Sequence, residues 1–272
     1  MAESFPVPAG LLEHARRFYA SGVRPAPPKL ASTVLLLRPA NPGPEVYLIR
    51  RAATMAFAAG MHAFPGGTVD PRDAAVQPAW SGPTPAEWAA LLGQDEPTAR
   101  AVVSAAVREV FEECGVLLAG PDAATVVGDV SGAEWEAARV ALIAREIGFA
   151  ELLAERGLVV RSDLLTPWAR WLTPEFEPRR YDTYFFLARL PERQVTRDVG
   201  GEAEQVVWGH PADLLGLPML PPTLAALRGL REYPDLAAAM RAEHDVTAPV
   251  MPYVELGGGE DRFVVPAAGE HR

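Results

Sequence analysis

The chain of 272 residues contains a single cysteine, Cys114, which excludes an intramolecular disulfide and fits a reducing compartment. It also lacks any apolar run of membrane-spanning length. The first ten residues, with Glu3 and two prolines, show no basic stretch followed by an apolar one and do not read as a signal peptide. The ending Gly269-Glu270-His271-Arg272 is not a peroxisomal Ser-Lys-Leu signal, so the cytoplasm is the expected location. Positive charge is scarce: 25 Lys and Arg stand against 35 Asp and Glu. The net charge of -10 disfavours broad binding to nucleic acid or to an anionic membrane, and an anionic substrate would need cations supplied locally. Internal repeats and low-complexity tracts are missing too. What is present is an ordinary globular composition, 49% apolar and 22% charged, with enough apolar residues for a sizeable core.

Leu11, Leu12, Ala15, Phe18 and Tyr19 recur at helical spacing, so a helix is expected over 9–20, stopped by the Pro-rich stretch 24–29. Apolar, β-branched runs at 32–37 and 45–49 flank Asn41-Pro42-Gly43-Pro44 and read as a hairpin. Residues 70–97, containing Pro and Trp, read as an insertion with a short helical patch over 87–92. A strongly periodic helix is expected over 98–114, with Thr98 as N-cap and Gly115 ending it in the left-handed conformation. Ser131 and Glu134 fit a capping box opening further helical sequence, broken at Gly148 and ending at Gly157. Strands are expected at 168–172, 181–190 and 205–208, short helices at 224–231 and 236–243, and β-like runs at 250–256 and 263–265. The pattern fits one mixed α/β domain with additions at both ends.

The chemistry concentrates in Arg108-Glu109-Val110-Phe111-Glu112-Glu113-Cys114-Gly115-Val116. At about 100° per residue, Glu109, Glu112 and Glu113 share one helix face, while Val103, Val107, Val110 and Cys114 form a separate apolar stripe. The three acids sit in the last turns, where the negative end of the helix dipole opposes them by roughly 0.3 to 1 kcal/mol each. By angle, Arg108 points about 100° away, so no cation is expected on their side. A solvated acidic face is the plain alternative. Oxygen donors at i, i+3 and i+4 in so unfavourable a place instead suit a hard divalent cation such as Mg²⁺.

This segment resembles the second half of the Nudix box, G-x5-E-x7-R-E-U-x-E-E-x-G-U, and fills all its specified positions. Upstream, Phe64-Pro65-Gly66-Gly67-Thr68-Val69-Asp70 resembles the entry to that box, with Gly67 as the specified glycine and Asp73 standing where the family has Glu. Residues 74–107 occupy 34 positions where the pattern has seven, an insertion of 27. An excursion of that kind can leave the site intact, because closure cost grows slowly with loop length. A similarly interrupted box occurs in the peroxisomal-type coenzyme A diphosphatases, a branch that Trp171–Glu175 and Pro178–Phe186 also resemble. Arg51-Ala52 and 60–67 partly match its coenzyme A signature, with Ile49 in place of its Thr and Ala56 in place of its second Arg.

The resemblance implies a Nudix α/β/α sandwich with a mixed β-sheet. It would occupy 30–216 with the insertion at about 74–100, preceded by a helix and linker (1–29) and followed by a packed helical and extended segment (217–272). It further implies a Mg²⁺- or Mn²⁺-dependent diphosphatase acting on a small nucleotide. Coenzyme A or an acyl-CoA leads; ADP-ribose or a dinucleotide, and a catalytically idle nucleotide sensor, are the alternatives. Glu109, Glu112 and Glu113, with the Gly66 carbonyl, would hold the metal. Gly67, Gly115 and an Asp73–Arg108 salt bridge would be structural, although Gly66-Gly67 is also what an ordinary tight turn after a strand would show. Glu202 and Glu204, before the 205–208 strand, are candidates for a further ligand or the general base, or simply a solvated acidic loop. Arg179, Arg180 and Arg51 are candidate phosphate contacts. At most one of Arg179 and Arg180 can face a site, and the other would pair with Glu175, Glu177 or Asp182. His62 reads as structural and Cys114 as core rather than nucleophile. A homodimer is compatible with all of this, and nothing in the sequence requires one.

Overall fold

A computed structural model describes residues 3–6, 9–53, 58–75, 78–197, 203–257 and 261–267. A short strand β1 (Glu3–Pro6) and helix α1 (Ala9–Ser21) precede the long strand β2 (Lys29–Arg38), which turns into β3 (Glu45–Arg51). Short strands β4 (His62–Ala63) and β5 (Gly66–Thr68) lead to helix α2 (Pro71–Ala75). The insertion supplies β6 (Trp80–Ser81) and α3 (Pro85–Leu92) ahead of the long helix α4 (Glu96–Cys114). Next come β7 (Ala119–Gly120), α5 (Ala133–Ile143), α6 (Phe149–Glu155) and β8 (Val159–Arg161). The strands β9 (Leu165–Leu172), β10 (Tyr181–Arg189) and β11 (Ala203–Gly209) follow. Helices α7 (Pro211–Leu214), α8 (Pro221–Leu230) and α9 (Leu236–Met240) and strands β12 (Tyr253–Glu255) and β13 (Arg262–Val265) complete the described chain.

The main sheet runs β11-β3-β2-β10-β9, with β4 beside β3 and β5 beside β2. Only the β10–β2 pair is parallel, so the sheet is mixed. The apolar runs in β2 and β10 are continuous because both faces of these strands are covered. Val34, Leu36, Tyr184 and Phe186 point toward α4, where they meet Val103, Val107 and Val110. Leu35, Leu37, Phe185 and Leu187 point the other way, against Leu227 and Leu230 of α8. The result is an α/β/α sandwich, as expected. No helix among the described residues is long and apolar enough to cross a membrane.

Several expectations need correction. The box helix starts at Glu96, and its N-cap is Asp95, whose carboxylate accepts from the Thr98 N–H at 2.7 Å. Pro97 had marked the end of the insertion, but proline fits a first helical turn, where its missing N–H has no partner to lose. No capping box opens α5: Gly132 is the N-cap without a side-chain bond, and the Ser131 N–H donates to Asp129 instead. A capping box does open α3, between Thr84 and Glu87. The insertion does more than bridge the two halves of the box, for it reaches the core. Trp88 and Leu92, one turn apart on α3, are buried in the main core beside Phe186, whereas Leu91 is 47% exposed. At the ends, β1 pairs with β13, and Ala15, Phe176 and Val254 form a small core of their own there.

Candidate active site

The site is built where the C-terminal half of α4 crosses β5. Two glycines permit the approach. A Cβ on Gly66 would collide with Ser32 and Thr33 of β2, and one on Gly67 would lie 2.5 Å from Oε1 of Glu109. Neither glycine has a positive φ, and both belong to a strand rather than to the tight turn considered above, so steric room is what they supply. At the end of α4, Gly115 takes the left-handed conformation (φ 67°) and its N–H donates to the Phe111 carbonyl. The apolar stripe of α4 is fully buried, Cys114 included, and burial pushes that thiol well above its ordinary range.

Arg108 does not point away from the acids. Its long side chain curls back, so that Nη1 donates to Glu109 at 2.8 Å and to Glu112 at 3.0 Å. Nε and Nη2 form a forked pair with Asp73, closest at 3.0 Å, and Nη2 also donates to the Thr68 carbonyl. All five guanidinium donors are thus engaged in a residue only 7% exposed. The expected Asp73–Arg108 bridge is present, and α2 brings the shorter Asp side chain within reach. Glu113 accepts from the Gly66 N–H at 2.7 Å. Behind the helix, the buried Arg139 donates to the main-chain carbonyl of Glu112 and pairs with Glu136.

These residues open onto a cavity of about 300 Å³ lined by Gly66, Gly67, Asp70, Glu109, Glu112 and Glu113, with Arg72 and Arg145 on its rim. Burial pushes the Glu109 carboxyl up to about 7, with repulsion from Glu112 adding to it, and burial raises Glu112 and Asp73 as well. Asp70 behaves oppositely: hydrogen bonds from Arg72 hold it at about 2. Among the described residues, no three acidic, histidine or cysteine side chains stand in a metal-holding arrangement. In this arrangement Arg108 donates to Glu109 and Glu112, and the Gly66 N–H donates to Glu113. The donor chemistry fits a hard dication: the ligating groups of the lining are carboxylate and carbonyl oxygens, and a bound cation would favour the ionised forms of Glu109 and Glu112 that burial disfavours.

The other sequence candidates scatter. Arg180 is buried, donating to the Thr173 and Ala26 carbonyls and to the Met251 sulfur, and Arg179 is exposed; neither lines the cavity. Both precede β10, Arg179 in a bend, so the strand alternation expected for the pair does not apply to them. Arg51 continues the β3 face that Ile49 presents to the cavity. His62 is buried, and burial lowers its pKa. Glu202 lies outside the described residues, as does Ala56. Glu204 is the extra residue where β11 bulges against β3. Arg72 and Arg145 were missed, having no motif to mark them.

The NUDT19 Nudix domain family matches residues 76–218, just over half of the chain. The acyl-coenzyme A diphosphatase NUDT19 of Gallus gallus is 28% identical over 209 residues, covering 63% of this chain. The chain spans about half of that relative's length, 55%. A crystal structure of a Nudix hydrolase from Alicyclobacillus acidocaldarius superposes with a TM-score of 0.64 at 30% identity, covering 81% of this chain and 98% of that one. With the box residues gathered around one cavity and this family match, the chain belongs to the NUDT19 Nudix domain family and is a Nudix hydrolase.

Proposed function

We propose that the protein hydrolyses the diphosphate bond of coenzyme A or an acyl-CoA, giving 3′,5′-ADP and the matching 4′-phosphopantetheine. The observation that carries this reading is the gathering of Glu109, Glu112 and Glu113 around the Gly66-Gly67 strand in a chain related to an acyl-coenzyme A diphosphatase. Glu109, Glu112 and Glu113, with the Gly66 carbonyl, would hold Mg²⁺ or Mn²⁺. When bound, such ions neutralise diphosphate charge and make water a better nucleophile. Asp73 and Arg108 hold the carboxylate face rigid, and Arg139 fixes the Glu112 backbone from behind. Glu202 or Glu204 takes the proton of the attacking water, and Arg51 contacts a phosphate from the β3 side. The water oxygen bonds to one phosphorus as the bridging P–O bond breaks, and the displaced phosphoryl group leaves on the other product.

The test is a panel of coenzyme A, acyl-CoA, ADP-ribose and a dinucleotide, incubated with purified protein and Mg²⁺ or Mn²⁺, with products identified by mass. Coenzyme A species should give 3′,5′-ADP and 4′-phosphopantetheine species fastest. Much faster cleavage of ADP-ribose or the dinucleotide would overturn the coenzyme A assignment.

A further inference from the structure

We propose that Arg145 contacts a substrate phosphate and sets affinity in the cleft. The inference rests on the reading that this cleft takes a nucleoside diphosphate, and it concerns a residue outside the box. Arg145 follows α5 and lines the same cavity as Glu112 and Glu113. Its backbone has φ 60°, a conformation that L side chains adopt rarely and that glycine or asparagine would enter with less strain. An arginine kept at such a position calls for a reason in its side chain.

The surroundings supply that reason. Arg72 anchors the turn from α2: its Nη1 donates to the main-chain carbonyls of Arg145 and Ile147, while its Nε and Nη2 are engaged with Asp70. Arg145 N–H donates to the Leu142 carbonyl, and Glu146 N–H to that of Ala141. The backbone is therefore fixed from both sides, and with it the direction of the Arg145 Cα–Cβ bond. Its side chain, by contrast, is 74% exposed, and its one ion-pair approach among the described residues is Nε to Asp70 at 4.0 Å. Of the three cations on the cavity wall, Arg108 has all its donors engaged and Arg72 is tied into the turn. Arg145 alone offers an open fork of donors of the kind that grips phosphate oxygens. Leu142 and half-exposed Ile143 lie beside it on the same wall, giving the apolar arm of a substrate a surface next to the phosphate contact.

The test compares Arg145→Gly and Arg145→Lys with the wild type. It measures Tm, the affinity for ADP with Mn²⁺ by calorimetry, and KM and kcat on whichever diphosphate the wild type cleaves. Arg145→Gly should keep or raise Tm, weaken ADP binding and raise KM roughly tenfold to a hundredfold, and leave kcat within about threefold. Arg145→Lys should recover part of the affinity. Unchanged ADP affinity and KM in Arg145→Gly would overturn the proposal, as would a wild type that fails to bind ADP at millimolar concentration. If coenzyme A is not cleaved but ADP binding still depends on Arg145, the coenzyme A reading fails and this assignment stands.

Discussion

Arg108 pairs with three carboxylates from two directions, and the consequences of removing it differ from those of removing any one of them. In Arg108→Ala, Asp73, Glu109 and Glu112 would be left buried without a counter-charge. A loss of about 3 to 5 kcal/mol is expected in urea unfolding. Glu112→Gln and Glu113→Gln change almost no volume, and each should lower turnover by orders of magnitude while leaving the metal-free protein at least as stable as wild type at pH 8. Full activity in both variants, or undiminished turnover in chelator, would remove the metal assignment. The raised carboxyls also give the metal-free protein a particular pH dependence. A carboxyl whose folded pKa exceeds its unfolded value stabilises the fold fully below the unfolded value, about 4.5, and that stabilisation is lost as pH rises through the folded one. For Glu109 that window ends at about 7, with Glu112 and Asp73 shifted in the same direction. Without metal, Tm should therefore fall between pH 5 and 8, and Mg²⁺ should flatten the slope by favouring the ionised forms. A flat profile in chelator would show that these carboxyls titrate normally. The acids, and Asp73 as the partner of Arg108, were legible in the sequence because a fixed pattern names them. The curl of Arg108 was not, because helical angle fixes where a Cβ points and says little about where a guanidinium several bonds away finds its acceptors.

At the scale of the element, α4 decides the geometry of the site, and both of its ends are testable. Asp95→Ala removes the carboxylate that accepts from Thr98 and should cost about 1 kcal/mol of stability, with little effect on kcat four turns away. Gly115→Ala acts at the other end. It forces a Cβ into a left-handed backbone at about 1 kcal/mol or more, and against the Arg197 guanidinium at 2.7 Å. Because Glu112 and Glu113 lie in the adjoining turn, this variant should lose activity as well as stability. Equal Tm losses with equal activities in the two variants would contradict that. The C-terminal end was readable from the sequence because glycine has few other reasons to stand there. The N-terminal end was misplaced by three residues because Asp95 and Thr98 are both good caps, and only the accepted hydrogen bond distinguishes them. Strand β1 had no sequence signature, since its pairing with β13 joins residues some 260 positions apart.

For the whole molecule, the unexpected element is the insertion, which contributes to the core instead of decorating it. Trp88→Ala should destabilise the protein by about 3 to 5 kcal/mol, as for a fully buried aromatic elsewhere in a core, whereas Leu91→Ala should be nearly neutral. Similar small effects for both would return the insertion to the surface. The distinction could not be drawn from composition, because Trp, Pro and Leu occur alike in satellite clusters and in cores. The sandwich itself was legible, since the two-sided burial of β2 and β10 is written in their unbroken apolar runs. The Asp73–Arg108 pair sets the terms on which such a chain can change over evolutionary time. It closes the excursion in space, so the geometry of the site depends on the identities at its two ends and little on the count of residues between them. Descendants could lengthen the segment at its exposed bends and keep the same catalytic face, provided that a large side chain continues to fill the place of Trp88. Kinship within such a lineage would be better traced by which residues meet than by how far apart they are written.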